Sequence, residues 1–236
     1  MRRVTIGPGT RILGVVVSIA AAVLIVAAGV LPFLSSQWIA AGQERAGAAA
    51  LTGFTSDELR SATDAIVSDL VVGPPDFDVE VAGAPVLNER ERAHMRDVHG
   101  VFLGLWVLTA LSVLVIALSL VVLPRGTTWA AIGRGARALA IVVVVVGIVA
   151  VVAFETLFEV FHRLLFEGGT YTFDPATERL VQLFPFRFWQ ETAIAVGAVI
   201  VVLAIAVSLL ASSLRHRSAV RAARTRTPDA ITEWHG

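Results

Sequence analysis

The chain has no cysteine, no lysine, one tyrosine and two methionines in 236 residues. Without cysteine there is no structural disulfide and no thiol nucleophile, and cysteine usage carries no information on redox compartment. Without lysine, all 19 basic residues are arginine. Charged residues make up 16% of the chain, well below the roughly 25% of an average soluble domain. There is no internal repeat and no G-x-S-x-G, H-E-x-x-H, Walker or Rossmann signature, so none of those chemistries is announced. No cofactor, no metal ion and no nucleic-acid partner is expected.

What fills the chain is apolar. Hydrophobic residues make up 56% and mean hydropathy is +0.77. Four apolar segments, 12–33, 100–123, 138–160 and 192–214, each reach the ~17–25 residues that cross a hydrocarbon core as a helix. Backbone polar groups find no water there, so helix is the default, and the alternation of a membrane barrel is missing. The expected fold is an all-α polytopic membrane protein: a four-transmembrane-helix bundle with an extracytoplasmic cap formed by two outer loops. The first segment follows "MRR", as a signal peptide would, but it is about twice the ~7–15 residues of a signal h-region. It also runs on toward Trp38, and reads as an uncleaved span.

Arginine sets the orientation. Segments 1–11, 124–137 and 215–236 hold 11 of the arginines and two acids, Asp229 and Glu233. The rest of the chain holds eight arginines and 17 acids. The positive-inside rule places both termini in the cytoplasm and segments 34–99 and 161–191 outside the cell membrane. In the first outer segment, T-S-D-E at Thr55–Glu58 is a capping box ahead of Leu59, Ala62, Ile66, Val67 and Leu70 at helical spacing. Prolines in V-V-G-P-P-D end that helix, and D-V-E-V-A-G-A-P-V-L reads as extended. Asn88 and Glu91 form a second capping box, and the helix it starts meets no breaker before Pro124. In the second outer segment, Gly168, Gly169 and Asp174-Pro175 make turns. L-V-Q-L-F-P-F-R-F-W at 180–189 reads as interfacial, with Trp189 anchored at headgroup level.

Ionisable groups cluster where these segments meet the apolar runs. His94 and Asp97 stand just ahead of the second run. Glu155, Glu159, His162 and Phe166 share one helical face at the end of the third. Charge at such a depth is costly and marks function by default. A single interfacial histidine usually only snorkels or hydrogen-bonds, but two, each beside a carboxylate, form a candidate proton-transfer pair. His99 reads as interfacial, His216 as part of the arginine tail and His235 as terminal. Arg163 and Arg187 suit a phosphate or an acyl oxyanion, with a solvated role as the plainer alternative. The aromatics of the 180–189 stretch suit packing.

E-R-A-H-M-R-D-V at Glu91–Val98 resembles the E-x-x-H-M-x-D-V motif of the bacterial lipoprotein intramolecular transacylase (Lit) family. F-H-R-L-L-F-E-G-G-T-Y-T-F-D-P at Phe161–Pro175 is similar to that family's F-H-x-L-F-F stretch and turn, and L-V-Q-L-F-P-F-R-F-W to its L-I-x-L-F-P-x-x-F-W. The four-span layout and motif order agree. The resemblance implies transfer of the sn-2 acyl chain of a diacylated bacterial lipoprotein to the α-amino group of its own N-terminal Cys, beside membrane phospholipid. It implies His94 and His162 as the catalytic pair and Glu91, Asp97 and Glu159 as supporting groups. Arg163, Arg187, Tyr171 and Trp189 are the further candidates, from the residues themselves, for contact with substrate or oxyanion. Tyr171 stands where the family pattern has Trp, Phe186 where it has Glu, and Glu178 where it has Asp. These departures bear on substrate preference more than on chemistry. Two rival readings stand beside the resemblance: a metal-dependent membrane hydrolase with the histidines and nearby carboxylates as ligands, and a non-catalytic membrane scaffold or sensor whose acidic cap binds a partner.

Overall fold

The computed structural model describes residues 8–166 and 170–224. The turn assigned to Gly168 and Gly169, the arginines Arg2, Arg3 and Arg226, and Asp229, Glu233 and His235 lie outside the described residues. In chain order the elements are α1 (Pro8–Val30), a 3-10 turn (Leu31–Leu34), α2 (Ser36–Ala46), α3 (Ala48–Thr52), α4 (Ser56–Val71), the antiparallel strands β1 (Glu80–Val81) and β2 (Ala84–Pro85), α5 (Glu89–Val122), α6 (Arg125–Leu165), α7 (Arg179–Leu183) and α8 (Phe186–Arg224). Four helices, α1, α5, α6 and α8, are long and apolar enough to cross a membrane. The fold is all-α and polytopic.

The helices outrun the greasy segments. α5 begins at Glu89, as its capping box demands: Glu91 Oε2 accepts from the Asn88 N–H at 2.7 Å and Asn88 Oδ1 from the Glu91 N–H at 3.0 Å. Segment 124–137, expected as a connecting loop, is helical from Arg125. Pro124 opens it, its carbonyl accepting from Thr127 and Thr128 at 2.8 and 3.3 Å, and Pro is well tolerated only at such a start. Likewise α8 begins at Phe186, ahead of 192, and continues to Arg224. Hydropathy marks where a helix turns greasy, not where it starts. One break is unannounced: Ala153 inside α6 has φ −141° and ψ 39°, with no Pro or Gly beside it to cause a kink.

The chain divides into two compact units. The first is Met1–Val26, Leu108–Val144 and Ile200–Gly236. Its buried cluster is small, namely Val17, Ala21, Ala131, Ile132 and Ala211, and its contacts are close. A Cβ on Gly135 would sit 2.0 Å from the Ser18 carbonyl oxygen. Ser18 Oγ lies 2.8 and 2.9 Å from the carbonyls of Ala131 and Gly14. This is the small-residue packing that holds helices where lipid, not water, surrounds them.

The second unit is Ala27–Val107 and Val145–Val199, and it has a side-chain core that includes Ile39, Ala62, Ile66, Phe77, Leu183 and Phe188. The Thr55–Glu58 capping box is formed and α4 buries Leu59, Ala62, Ile66 and Leu70. The extended stretch is a hairpin whose turn residues, Ala82 and Gly83, have φ of 51° and 75°, as a two-residue hairpin turn of matching twist requires. Helices α2 and α3 were not foreseen. Their signals are local: Ser35 caps α2 by accepting from Trp38 N–H, and Gly47 and Gly53, both at φ 74°, close α2 and α3. The 180–189 stretch packs inward, with Leu180, Leu183, Phe184 and Phe188 all buried, while Trp189 remains 42% exposed.

Candidate active site

His94 enters the second unit from α5 and His162 from α6. Their ring centroids are 6.1 Å apart and their planes lie within 24°. Aromatic rings surround the pair. Phe166 and Phe173 stand 4.8 and 5.5 Å from His94, and Phe158 and Tyr171 stand 4.1 and 5.2 Å from His162.

The two imidazoles are held differently. His162 Nδ1 lies 2.7 Å from the Phe158 carbonyl. A carbonyl only accepts, so Nδ1 carries the hydrogen and Nε2 is the atom left to exchange a proton. His94 is only 6% exposed, and its Nδ1 is buried without a hydrogen-bond partner. It lies ahead of the apolar segment 100–123, on the first turns of α5. Burial pushes its pKa down to about 4, the neighbouring His162 pushes the same way, and the Asp97 charge opposes both. An unpaired polar atom at a buried position is rare.

The carboxylates separate into distinct roles. Glu91, 1% exposed, uses one oxygen on Asn88 and the other on the Leu180 N–H at 2.6 Å. It ties the start of α5 to α7 and is occupied by backbone. Glu159 accepts from the Tyr171 hydroxyl at 3.2 Å. Burial, this hydrogen bond and the Glu159 charge raise the Tyr171 pKa, so the phenol stays a donor. Asp97 is exposed on α5 and acts on His94 through its charge. Arg163 is exposed on α6. Arg187 bonds Glu191 one turn along α8 at 2.8 Å, and Trp189 packs on Phe184 and Phe188. Among the described residues, no hydrogen bond or ring contact joins these last two to the histidines, and the geometry gathers His94, His162, Tyr171 and Glu159. His99 Nδ1 bonds the Leu70 carbonyl at 3.1 Å, tying α5 to α4.

Sequence reasoning missed Arg90, Phe158 and Phe173 and marked Glu178 only as a departure from the family pattern. Phe158 had a signal, since it precedes His162 by one helical turn. The pairing of Arg90 with Glu178 had none, because the two lie 88 residues apart. Among the described residues, no three His, Cys, Asp or Glu side chains converge in a way that would hold a metal ion.

Comparison with known proteins gives these features a family. The family model of lipoprotein intramolecular transacylase Lit matches residues 12–189. Comparison with curated proteins returns no match. Among solved structures, the membrane-integral lipoprotein intramolecular transacylase Lit from Bacillus cereus is similar at TM-score 0.74 and 18% identity, covering 90% of this chain and 98% of that one. A form of that protein with one histidine replaced by arginine gives TM-score 0.70 at 18% identity, covering 90% and 95% of the two chains. A form with the histidine replaced by alanine gives 0.70 at 18%, covering 90% and 96%. At that identity the structures speak for the fold, while the family match spans most of the sequence and includes both histidine motifs. The chain belongs to the lipoprotein intramolecular transacylase Lit family and is an enzyme of that class.

Proposed function

We propose that this enzyme moves the sn-2 acyl chain of a diacylglyceryl lipoprotein to the α-amino group of that lipoprotein's own N-terminal Cys, giving a lyso-form lipoprotein. The observation that carries the reading is the pair of histidines, 6.1 Å apart in an aromatic pocket, with one nitrogen fixed for proton exchange and one ring kept neutral. His162 Nε2 takes the proton as the amine attacks the ester carbonyl. It returns that proton to the glyceryl oxygen as the C–O bond breaks. Neutral His94 donates to the oxyanion that forms between these steps, a role suited to an imidazole that burial keeps uncharged. Amine and ester belong to one molecule, so holding them together supplies the proximity advantage without a protein nucleophile.

Glu159 and Tyr171 orient His162 from one side, Asp97 tempers His94, and Glu91 builds the wall behind them. Arg163 and Trp189 are the outlying contacts for headgroup or ester oxygens of the substrate, while Arg187, paired with Glu191, stands at the margin of the site. Both termini lie in the cytoplasm, segments 34–99 and 161–191 face outward, and the site opens at the outer leaflet of the cytoplasmic membrane. This is where diacylated lipoproteins and membrane phospholipid meet it.

Substrate and product of such a reaction are isomers. Incubated with a diacylated lipopeptide, the protein should leave its mass unchanged and alter its fragmentation, one chain becoming amide-linked to Cys. Transfer from phospholipid would add an acyl mass and hydrolysis would remove one. A periplasmic reporter signal at Gly236 would overturn the orientation.

A further inference from the structure

The loop that follows α6 meets both histidines with alternate side chains. Tyr171 lies tilted against His162 and Phe173 lies against His94. Thr172 sits between them, and its carbonyl accepts a 2.7 Å hydrogen bond from Arg90. The same guanidinium lies 4.7 Å above the Phe173 ring and pairs with Glu178. Glu178 is itself fixed, its other oxygen accepting from the Asp174 N–H at 2.6 Å. Burial alone would raise the Glu178 pKa, but the Asp174 N–H, Arg90 and Asn88 together hold it lowered, so it meets Arg90 as a carboxylate.

Arg90 stands four residues before His94, one turn back on the same face of α5. One cation therefore grips the loop at its middle carbonyl, at its aromatic side chain and at its far end. The planar fork of arginine suits all three contacts, which a point-charge ammonium does not. Among the described residues, neither Arg90 nor Glu178 makes a hydrogen bond or ring contact with either imidazole. They act on the rings through Tyr171 and Phe173.

We infer that Arg90 and Glu178 are positioning residues, a latch that holds residues 171–173 over the two histidines and so sets their spacing and keeps water from His94. This rests on the two-histidine reading above, and its test has a part that does not need turnover. In the full-length protein in nanodiscs, Arg90→Met keeps a chain over Phe173 and removes the fork. It should lower kcat on the order of 10- to 100-fold, as misplacement of reacting groups does, with KM little changed. Arg90→Lys should recover part of that loss. The His94 ring, followed by NMR, should titrate upward from about 4 toward its ordinary 6.5 in Arg90→Met as water enters.

Glu178→Gln separates the latch from simple electrostatics. Loss of a nearby anion would push His94 further down, whereas release of the loop pushes it up. An upward shift supports the latch. A flat or downward shift in Glu178→Gln overturns it, as does a loss in Arg90→Met that falls wholly on KM. Should Arg90→Met fail to fold, the Glu178→Gln titration decides alone. A wild-type protein that leaves lipopeptide fragmentation unchanged would sink the proposed reaction, while the His94 titration would still judge the latch.

Discussion

The two units of this chain solve the burial problem in opposite ways. The first has few buried side chains and relies on close backbone approach, with Gly135 against Ser18. Among its described residues it has arginines and no Asp or Glu. The second is built as a water-soluble domain would be, with capping boxes, a hairpin turn, ion pairs and an aromatic core. All the proton-transfer candidates lie in the second. Chemistry needs buried polar groups held by other polar groups, and a lipid-type interface of small residues has few to offer.

The sharpest way to break this comparison is at the histidines. Replacing His94 or His162 by Ala should lower turnover by about 10²- to 10⁴-fold, the usual worth of positioned acid–base groups, while the protein still folds and inserts. His216→Ala, in the first unit, should retain activity. Mass spectrometry of the lipopeptide reads all three, and an active His94→Ala enzyme would overturn the two-histidine mechanism. His94 also carries a pH signature. Its folded pKa of about 4 lies below the ordinary 6.5, so the native state prefers the neutral ring. The stability this contributes is fully present above about pH 6.5 and is lost as pH falls through about 4. The His94 resonance should stay flat from about pH 8 to pH 5, and a midpoint near 6.5 would show that its cage is open.

A smaller effect should follow from Glu91→Ala. Its two oxygens satisfy the N–H groups of Asn88 and Leu180, and removing them strands both donors in a buried site. The expected loss is about 2–4 kcal/mol of stability, read as a lowered unfolding midpoint, with residual activity in the fraction that stays folded. A loss of turnover without a loss of stability would instead place Glu91 in the chemistry.

Much of this was legible in residues alone, for physical reasons. Capping boxes at Thr55–Glu58 and Asn88–Glu91 are local and reciprocal, so they survive any tertiary context, and both formed. The His94 and His162 motifs could be quoted because their chemistry-bearing residues are near neighbours in sequence. Helices α2 and α3 were lost in a segment with weak periodicity, their only marks being Ser35 and two glycines. Segment 124–137 links two apolar runs and is helical from Arg125, because arginine interrupts hydropathy without interrupting a helix. Arg90 with Glu178 stayed invisible, since pairing across 88 residues leaves no trace in one sequence. The packing role of the 180–189 aromatics was legible, and Phe184 and Phe188 are buried, but what they pack against was not, since aromatic runs look alike at a membrane surface and in a core.

Glycine substitutions compare the two units directly. Gly135→Ala sets a Cβ 2.0 Å from a backbone carbonyl, while Gly42→Ala sets one 2.7 Å from the Phe188 ring. Backbone must shift in the first case; in the second a ring can turn within the core. Overpacking of this kind costs about 1–3 kcal/mol, and Gly135→Ala should sit at the upper end with Gly42→Ala below it. Thermal unfolding of the two variants ranks them. The reverse order would mean that the first unit is the more compliant of the two.

The smallest expected effect belongs to Arg187, and it marks where the site ends. Its guanidinium bonds Glu191 at 2.8 Å, with 65% of its side chain exposed. Arg45 also reaches Glu191, at 2.7 Å, so the carboxylate keeps a partner when Arg187 is gone. An exposed pair of this kind is worth less than about 1 kcal/mol. Arg187→Gln should therefore leave stability within that margin and turnover within about twofold, in contrast to Arg90→Met, whose guanidinium holds the loop over both histidines. A fall in kcat at Arg187 as large as that at Arg90, with stability unchanged, would carry the reactive site out to the start of α8. It would also make Arg187 a direct contact for the developing oxyanion, and the aromatic pocket alone would no longer account for the chemistry.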